Sequence, residues 1–171
     1  VGIRRPCPST RSWMYFPEDD CPFYRVTYLS NYSPKMTPDP ETHYSLLCET
    51  SFSPAKPEEE STILERTIAG LESTGLLRPG ERDDIVSTWV KRVEYSYPTP
   101  SVDRDAALAV IMPWLESHGI YSRGRFGLWK YEVANTDHSV MQGVELINRL
   151  LLGEAEQTTG LVYRVTEDGR Q

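Results

Sequence analysis

The stretch SWMYFPEDDCPFYRVTYLSNYS, residues 12–33, predicts two β-strands joined by a turn. Aromatic and β-branched residues dominate both halves, residues 23–29 alternate in strand fashion, and the acidic residues 18–20 interrupt the pattern. Prolines at three positions within residues 31–40 predict a loop after the second strand. Alternation resumes at residues 44–49, which therefore predict a third strand.

One more strand and three helices are predicted downstream. Residues 85–97 are rich in β-branched and aromatic side chains, which predict a long strand. Helical spacing predicts one helix after residue 60, a second over about residues 102–118 and a third that begins near Asp137. Pro113 is expected to kink the second helix. The third helix is expected to bury an apolar face formed by Val140, Val144, Ile147 and Leu151.

This order of elements predicts the fold class. Strands separated by long intervals and interleaved with helices favour an α+β fold, with a mostly antiparallel sheet flanked by about three helices. The sequence shows neither an internal repeat nor a domain boundary. We therefore expect one domain over residues 1–160 and a C-terminal tail over residues 161–171.

Composition narrows the class of protein. The 171 residues include 39% hydrophobic and 25% charged side chains, as in ordinary globular proteins, and the formal net charge is −7. An acidic chain is a poor partner for nucleic acid or for an anionic membrane, so neither partner is expected. Three cysteines without a C-x-x-C pair favour a reduced, cytoplasmic protein with no structural metal site.

Two clusters combine aromatic side chains with arginine. One covers residues 13–25 and the other covers residues 122–131. Such clusters fit an aromatic core with arginines reaching solvent, and they also fit a cleft in which arginine forks bind a phosphate. The sequence has no G-x-G-x-x-G turn, no phosphate-binding P-loop and no close histidine pair for a metal, so no common cofactor motif decides between the two interpretations.

Several blocks in fixed order carry a family resemblance. They are WMYFPED (13–19), PFYR (22–25), SNYSP (30–34), YPTP (97–100), SRGRFG (122–127), WKYEV (129–133) and DHS (137–139). Together they resemble the C-terminal part of UDP-galactopyranose mutases, particularly the eukaryotic type, over about residues 1–153. The resemblance implies the sheet domain and C-terminal segment of that family.

The resemblance also implies roles for individual residues. Arg25 and Arg125 would grip the UDP diphosphate. Three tyrosines would also reach the phosphates: Tyr32, Tyr97 and Tyr131. Trp13 and Tyr15 would line the sugar cleft, and a last segment would face the flavin and the sugar through Asn135, Asp137 and His138. No catalytic residue is assigned, and the candidates are His138, Asp137 and Tyr97.

The resemblance does not extend to the half of the mutase that holds FAD. Family members isomerise the sugar ring with reduced FAD, so no cofactor is expected for this chain alone, and FAD is expected only if a partner chain completes the site. The first hypothesis is a fragment or split subunit of a pyranose/furanose isomerase that binds a nucleotide sugar. It predicts an exposed apolar surface where a complementing flavin-domain chain docks.

Two other hypotheses remain open at this stage. One is a small flavin-free enzyme derived from the mutase fold, an isomerase or cyclase that acts on another small molecule in specialised metabolism. The other is a module that binds without catalysis. A homo-oligomer is compatible with each of them, and fold resemblance alone does not choose between them.

Overall fold

The structure is a computed structural model that describes residues 1–160. The chain divides into two compact units, Val1–Arg92 and a second that starts at Val93. Each unit is described by itself, and a single domain over residues 1–160 stays a prediction. The predicted tail, residues 161–171, lies outside the described residues.

The first unit contains a five-stranded sheet and one helix. Its strands are β1 (Gly2–Ile3), β2 (Trp13–Tyr15), β3 (Arg25–Tyr28), β4 (Tyr44–Glu49) and β5 (Ile85–Ser87), in the order β2-β3-β4-β1-β5. Every strand pair is antiparallel. Helix α1 spans Glu60–Ser73. These elements confirm the α+β prediction and the predicted strands in residues 12–33 and 44–49.

One face of the sheet and one face of α1 form the core of the first unit. Phe23 is buried near the helix, where a Cβ atom on Gly70 would lie 3.0 Å from its ring and 2.9 Å from the Cβ of Cys21. Glycine at this position therefore lets the helix approach the residues that lead into β3. The core residues are Ile3, Phe23, Val26, Tyr28, Tyr44, Leu46, Ile68, Leu71 and Leu77.

The prediction of a long strand over residues 85–97 is wrong beyond Ser87. Strand β5 ends there, and Trp89 and Tyr95 have relative exposures of 75% and 71%. β-propensity mainly reflects packing against cross-strand neighbours, and β5 is an edge strand, paired with the two-residue β1. Because β1 is only two residues long, residues 88–97 have no neighbouring strand with which to continue the hydrogen-bonded ladder.

The second unit is helical. Helices α2 (Arg104–Ser117), α3 (Gly124–Gly127) and α4 (Thr136–Leu152) confirm the two long helices predicted in this part of the chain, and Pro113 lies inside α2. The predicted buried face of the last helix is wrong, because all four of its apolar residues are exposed. Within residues 1–160 no helix has the length and apolar character needed to cross a membrane.

Candidate functional site

The outward face of the sheet carries the predicted residues of the first unit. Register places Tyr15 opposite Arg25 and Arg25 opposite Glu49, on neighbouring strands. Trp13 lies two residues before Tyr15 and therefore on the same face. Val26, one residue after Arg25, points to the other face and into the core. The alternation of β2 and β3 thus separates an aromatic, charged face from an apolar one.

Arg25 is held by a carboxylate and surrounded by aromatic rings. Its Nε and Nη2 atoms both donate to the carboxylate of Glu49, with an Nη2–Oε1 distance of 2.7 Å. The guanidinium carbon lies 6.0 Å from the ring centres of Trp13 and Tyr15 and 5.9 Å from that of Tyr24. Both partners of the ion pair are partly exposed. The pair fixes the orientation of the guanidinium and offsets its charge.

Tyr32 extends this aromatic face. Its ring centre lies 6.3 Å from that of Trp13, at an interplanar angle of 58°. Trp13, Tyr15 and Tyr32 are each more than half exposed, although large aromatic side chains are usually well buried. The structure therefore brings together four predicted site residues of the first unit, Trp13, Tyr15, Arg25 and Tyr32.

The predicted residues of the second unit meet around Arg125. This residue lies in the one-turn helix α3, and its guanidinium carbon is 4.9 Å from the ring centre of Tyr97. Tyr97 in turn lies 6.2 Å from Tyr131, between ring centres. Arg125, Tyr97 and Tyr131 thus form one group. Whether this group and the group around Arg25 act on the same ligand stays a prediction.

Arg125 differs from the other partly buried arginines. Each of the others has a carboxylate within 4.0 Å: Arg25, Arg104, Arg123 and Arg149. Among residues 1–160, no carboxylate lies within ion-pair distance of Arg125, and a tyrosine ring covers its guanidinium. A partly buried cation without an anion is costly unless something else compensates it. Among the partly buried arginines of residues 1–160, Arg125 is therefore the one whose charge no described carboxylate offsets.

Arg123, two residues before Arg125, has a different environment. Its guanidinium binds Glu156 through Nε at 2.5 Å and through Nη2 at 2.6 Å, and Nη2 also donates to Glu116 at 2.9 Å. The hydrogen bond to Glu156 is the main cause of the raised pKa of Arg123. This arginine joins α2 to the segment after α4, and its charge is already compensated.

A buried glutamine holds the loop that carries Arg125. The side chain of Gln142 on α4 is fully buried, accepts a hydrogen bond from the backbone N–H of Gly124 at 2.8 Å and donates one to the carbonyl of Val133 at 2.8 Å. Gly124 has φ +85°, which favours glycine there. Gln142 therefore links the turns that carry Arg125 and Tyr131.

The remaining predicted residues lie at the start of α4. Asn135 is the N-cap residue and Asp137 is in the first turn, and both are exposed. The Nδ1 atom of His138 is buried and has no hydrogen-bond partner among the described atoms. In residues 1–160, no hydrogen bond or ion pair joins Asp137 or His138 to Tyr97. The three candidate catalytic residues are therefore not organised as a proton-transfer chain in this structure.

Two site-supporting residues escaped the sequence analysis. The alternation of β4 indicates which face of the strand Glu49 occupies. Its contact with Arg25 depends on strand register, which one sequence does not reveal. Gln142 is one of several polar residues in α4, so its type and position alone did not mark it as buried. Both hold an arginine or its loop in place.

The described residues do not include the structural unit that typically binds a dinucleotide. A dinucleotide is typically bound by a parallel βαβ unit with a glycine-rich turn. All strand pairs in residues 1–160 are antiparallel, and the sequence has no such turn. No three His, Cys, Asp or Glu side chains in the described part could together hold a metal ion.

Comparison with a solved structure supports the α+β fold described above. No protein-family model matches the chain. A crystal structure of reduced UDP-galactopyranose mutase matches it with 46% sequence identity and a TM-score of 0.81, over 93% of this chain. The match covers 34% of the mutase chain, so this chain spans about a third of the length of that structure. The chain therefore has the fold of a segment of this mutase.

Proposed function

We propose that this chain is the nucleotide-sugar-binding part of a UDP-galactopyranose mutase-like pyranose/furanose isomerase, and that it corresponds to the C-terminal part of such an enzyme. The group of Arg125, Tyr97 and Tyr131 carries the proposal. It combines a partly buried arginine that has no described carboxylate partner with two tyrosines. A guanidinium can donate to two phosphate oxygens at once, and tyrosine hydroxyls add neutral donors.

The aromatic face around Arg25 has a complementary role in this proposal. Trp13 and Tyr15 would provide the wall of the sugar cleft, since rigid aromatic rings offer a large contact area with a polar edge. Glu49 offsets the charge of Arg25, so Arg25 would contribute less to anion binding than Arg125. In this proposal the first unit contributes aromatic contact more than charge.

Ring isomerisation would need a flavin, and residues 1–160 lack the parallel βαβ unit that typically binds one. When bound by the complementary part of the enzyme, FAD would supply the chemistry of ring opening and closure. This chain would bind and orient the nucleotide sugar. Asn135, Asp137 and His138 would face the ligand from the start of α4. We place the protein in the cytoplasm, a location supported by three free cysteines.

The first test is calorimetric titration of the purified chain with UDP and with UDP-galactose. We expect Arg125→Ala to weaken UDP binding by about 1.5–3 kcal/mol, the range for a hydrogen bond to a charged group. Arg78→Ala is the matched control, because it removes the same charge from an exposed side chain without an ion pair in the described residues. UDP affinity that is equal in Arg125→Ala and in the unmodified chain would contradict the proposed site.

Two additional titrations test the role of Arg25 and the binding of FAD. The charge-neutral double variant Arg25→Ala/Glu49→Ala should lose less affinity than Arg125→Ala if the ion pair offsets Arg25. Titration with FAD, alone and with UDP, then tests the cofactor. A chain that binds neither UDP nor UDP-galactose, yet is stably folded, would favour a flavin-free enzyme with another substrate.

A further inference from the structure

Four side chains of the second unit form a closed cycle of alternating charge. Arg123 binds Glu156 through Nε and Nη2, at 2.5 and 2.6 Å, and binds Glu116 through Nη2 at 2.9 Å. Arg149 binds Glu116 through Nη1 and Nη2, at 3.1 and 3.0 Å. Its Nε lies 2.8 Å from Glu156, at ion-pair distance but without hydrogen-bond geometry. We call Glu116, Arg123, Arg149 and Glu156 the ion-pair cluster.

The ion-pair cluster joins three helices and the segment after the last of them. Its members lie in the last turn of α2, at the N-cap of α3, in the last turn of α4 and beyond the end of α4, in the order Glu116, Arg123, Arg149 and Glu156. The side chains of Arg123 and Glu156 have relative exposures of only 10% and 8%. Exposed ion pairs contribute little, whereas removing one partner of a buried pair leaves a charge uncompensated. The buried half of the cluster is therefore a firm attachment rather than a loose surface contact.

Helix α3 depends on attachments outside itself. It is a single turn of four residues, Gly124–Gly127, and a helix this short is not stable alone in water. Gln142 accepts a hydrogen bond from its first N–H at 2.8 Å, and the hydroxyl of Ser122 donates to its last carbonyl at 3.0 Å. Arg123 lies directly before the turn, and its side chain ties α3 to α2 and to the segment after α4.

The position of Arg125 depends on α3. It is the second residue of the turn, and its guanidinium carbon lies 4.9 Å from the ring centre of Tyr97. Among residues 1–160 no carboxylate lies within ion-pair distance of Arg125, so no ionic contact there fixes its side chain. Hydrogen bonds from a guanidinium to phosphate need N–O distances of about 2.7–2.9 Å, and a displacement of about 1 Å is enough to break one. A backbone shift at Arg123 would therefore weaken the contacts that Arg125 makes with a ligand.

We infer that Arg123 is a positioning residue for Arg125, held in that role by Glu116 and Glu156. This inference rests on the proposed function, in which Arg125 binds the diphosphate. The two arginines around the start of α3 then have separate roles. Arg123 has two carboxylate partners and fixes the backbone, whereas Arg125 has none among the described residues and is available to a ligand.

The sign of one substitution distinguishes positioning from two other roles of the ion-pair cluster. If the cluster acts on UDP only through its electric field, removal of a carboxylate makes the surroundings less negative and strengthens the binding of an anion. If the cluster acts only on stability, the free energy of unfolding falls and the UDP affinity of the folded chain stays the same. Positioning predicts weaker UDP binding after a carboxylate is removed, because Arg123 is then held less firmly.

The test is calorimetric titration of the purified chain with UDP. We expect Glu156→Gln to weaken UDP binding about tenfold, because a neutral amide holds a guanidinium less firmly than a carboxylate does. Arg123→Lys should also weaken it, since lysine keeps the charge but lacks the fork that meets both carboxylates. Glu154→Gln is the matched control, because it removes the same charge from an exposed side chain two residues before Glu156. The control should leave UDP affinity within about twofold of that of the unmodified chain.

A double-mutant cycle tests whether Arg123 acts through Arg125. In the Arg125→Ala background, Arg123→Lys should change UDP affinity by less than about twofold. An equal loss in both backgrounds would assign Arg123 a contact of its own with UDP and would overturn the inference. So would UDP affinity that is unchanged or higher in Glu156→Gln. Should Glu156→Gln fail to fold, Glu116→Gln replaces it with the same expected direction, since the Glu116 side chain is more exposed.

Hydrogen exchange of α3, followed by NMR, needs no ligand and separates this inference from the proposed function. The N–H of Gly124 donates to Gln142 and that of Leu128 donates to the carbonyl of Gly124. Both should exchange faster in Arg123→Lys than in the unmodified chain, because the turn is less firmly attached. Faster exchange together with no UDP binding by the unmodified chain would contradict the proposed function and leave the anchoring role of Arg123 standing. Unchanged exchange in Arg123→Lys would overturn the inference.

Discussion

The two units of this chain differ in how much apolar surface each of them buries internally. Among residues 1–160, nine of the twelve buried hydrophobic residues lie in the first unit, and the second unit has Leu128, Val133 and Ala134. Both units contain ion pairs, such as Arg25–Glu49 in the first and those that Arg123 and Arg149 make with Glu116 and Glu156 in the second. The apolar stripe of α4, in the second unit, faces outward. The difference indicates that apolar burial contributes more to the stability of the first unit than to that of the second.

The largest effect should distinguish the two apolar surfaces. We expect Leu71→Ala to lower the free energy of unfolding by about 2–5 kcal/mol, since it removes a fully buried side chain from the core of the first unit. Leu151→Ala makes the same chemical change at an exposed position, and we expect a change within about 0.5 kcal/mol. Urea unfolding followed by circular dichroism measures both. Equal losses would show that α4 packs on its outer side within the free chain.

A smaller effect should come from the buried polar link in the second unit. Gln142→Leu leaves the N–H of Gly124 and the carbonyl of Val133 without partners, which should cost about 1–3 kcal/mol of stability. UDP affinity should fall as well, because the turn that carries Arg125 loses its support. Gln157→Leu, at an exposed position, is the control. Unchanged melting temperature and unchanged UDP affinity would contradict a positioning role for Gln142.

The smallest effect concerns pH. Hydrogen bonds from Arg149, then from Arg123, lower the pKa of Glu116, and a hydrogen bond from Arg104 lowers the pKa of Glu132. A carboxyl group with a lower pKa in the folded state stabilises that state above its unfolded pKa, and this contribution is lost as pH falls through the folded value. Both groups belong to the second unit, whereas Asp39, a first-unit carboxyl group whose pKa is also lowered, chiefly by a hydrogen bond from Thr42, lies exposed outside the sheet. We therefore expect α2 and α4 to lose hydrogen-exchange protection below about pH 4.5, before the sheet does.

Amide hydrogen exchange with mass spectrometry between pH 7 and pH 3 measures that order. Glu116→Gln should reduce the pH dependence of protection in the helices and leave that of the sheet unchanged. Simultaneous loss of protection in both units, or loss in the sheet first, would contradict the order expected from the lowered pKa values of Glu116 and Glu132.

Local sequence patterns predicted most elements of the fold. Strands β2 to β4 and helices α1, α2 and α4 lie where alternation or helical spacing placed them. The errors arose where an element depends on a distant neighbour. Residues 88–97 have strand-forming side chains but too little paired strand beside them, and the period of α4 revealed which residues share a face but not which face lies inside.

The sequence indicated which residues to consider for the candidate site, but it did not indicate most of their contacts. Family resemblance selected Arg25 and Arg125, and the structure places each of them beside predicted aromatic residues. The resemblance did not distinguish the two arginines. The difference between them depends on Glu49, which reaches Arg25 through strand register, and on the absence of a comparable carboxylate near Arg125 in residues 1–160.

The strand order of the sheet has a consequence for how the first unit folds. Strands β2, β3 and β4 are neighbours both in sequence and in space, whereas β1 must pair with β4 and β5 across gaps of about 40 and 80 residues. Closing long loops is entropically costly and slows folding. We expect the three-stranded meander that carries Trp13 and Arg25 to form early. The insertion of β1, which buries Ile3, would then be a late step in folding.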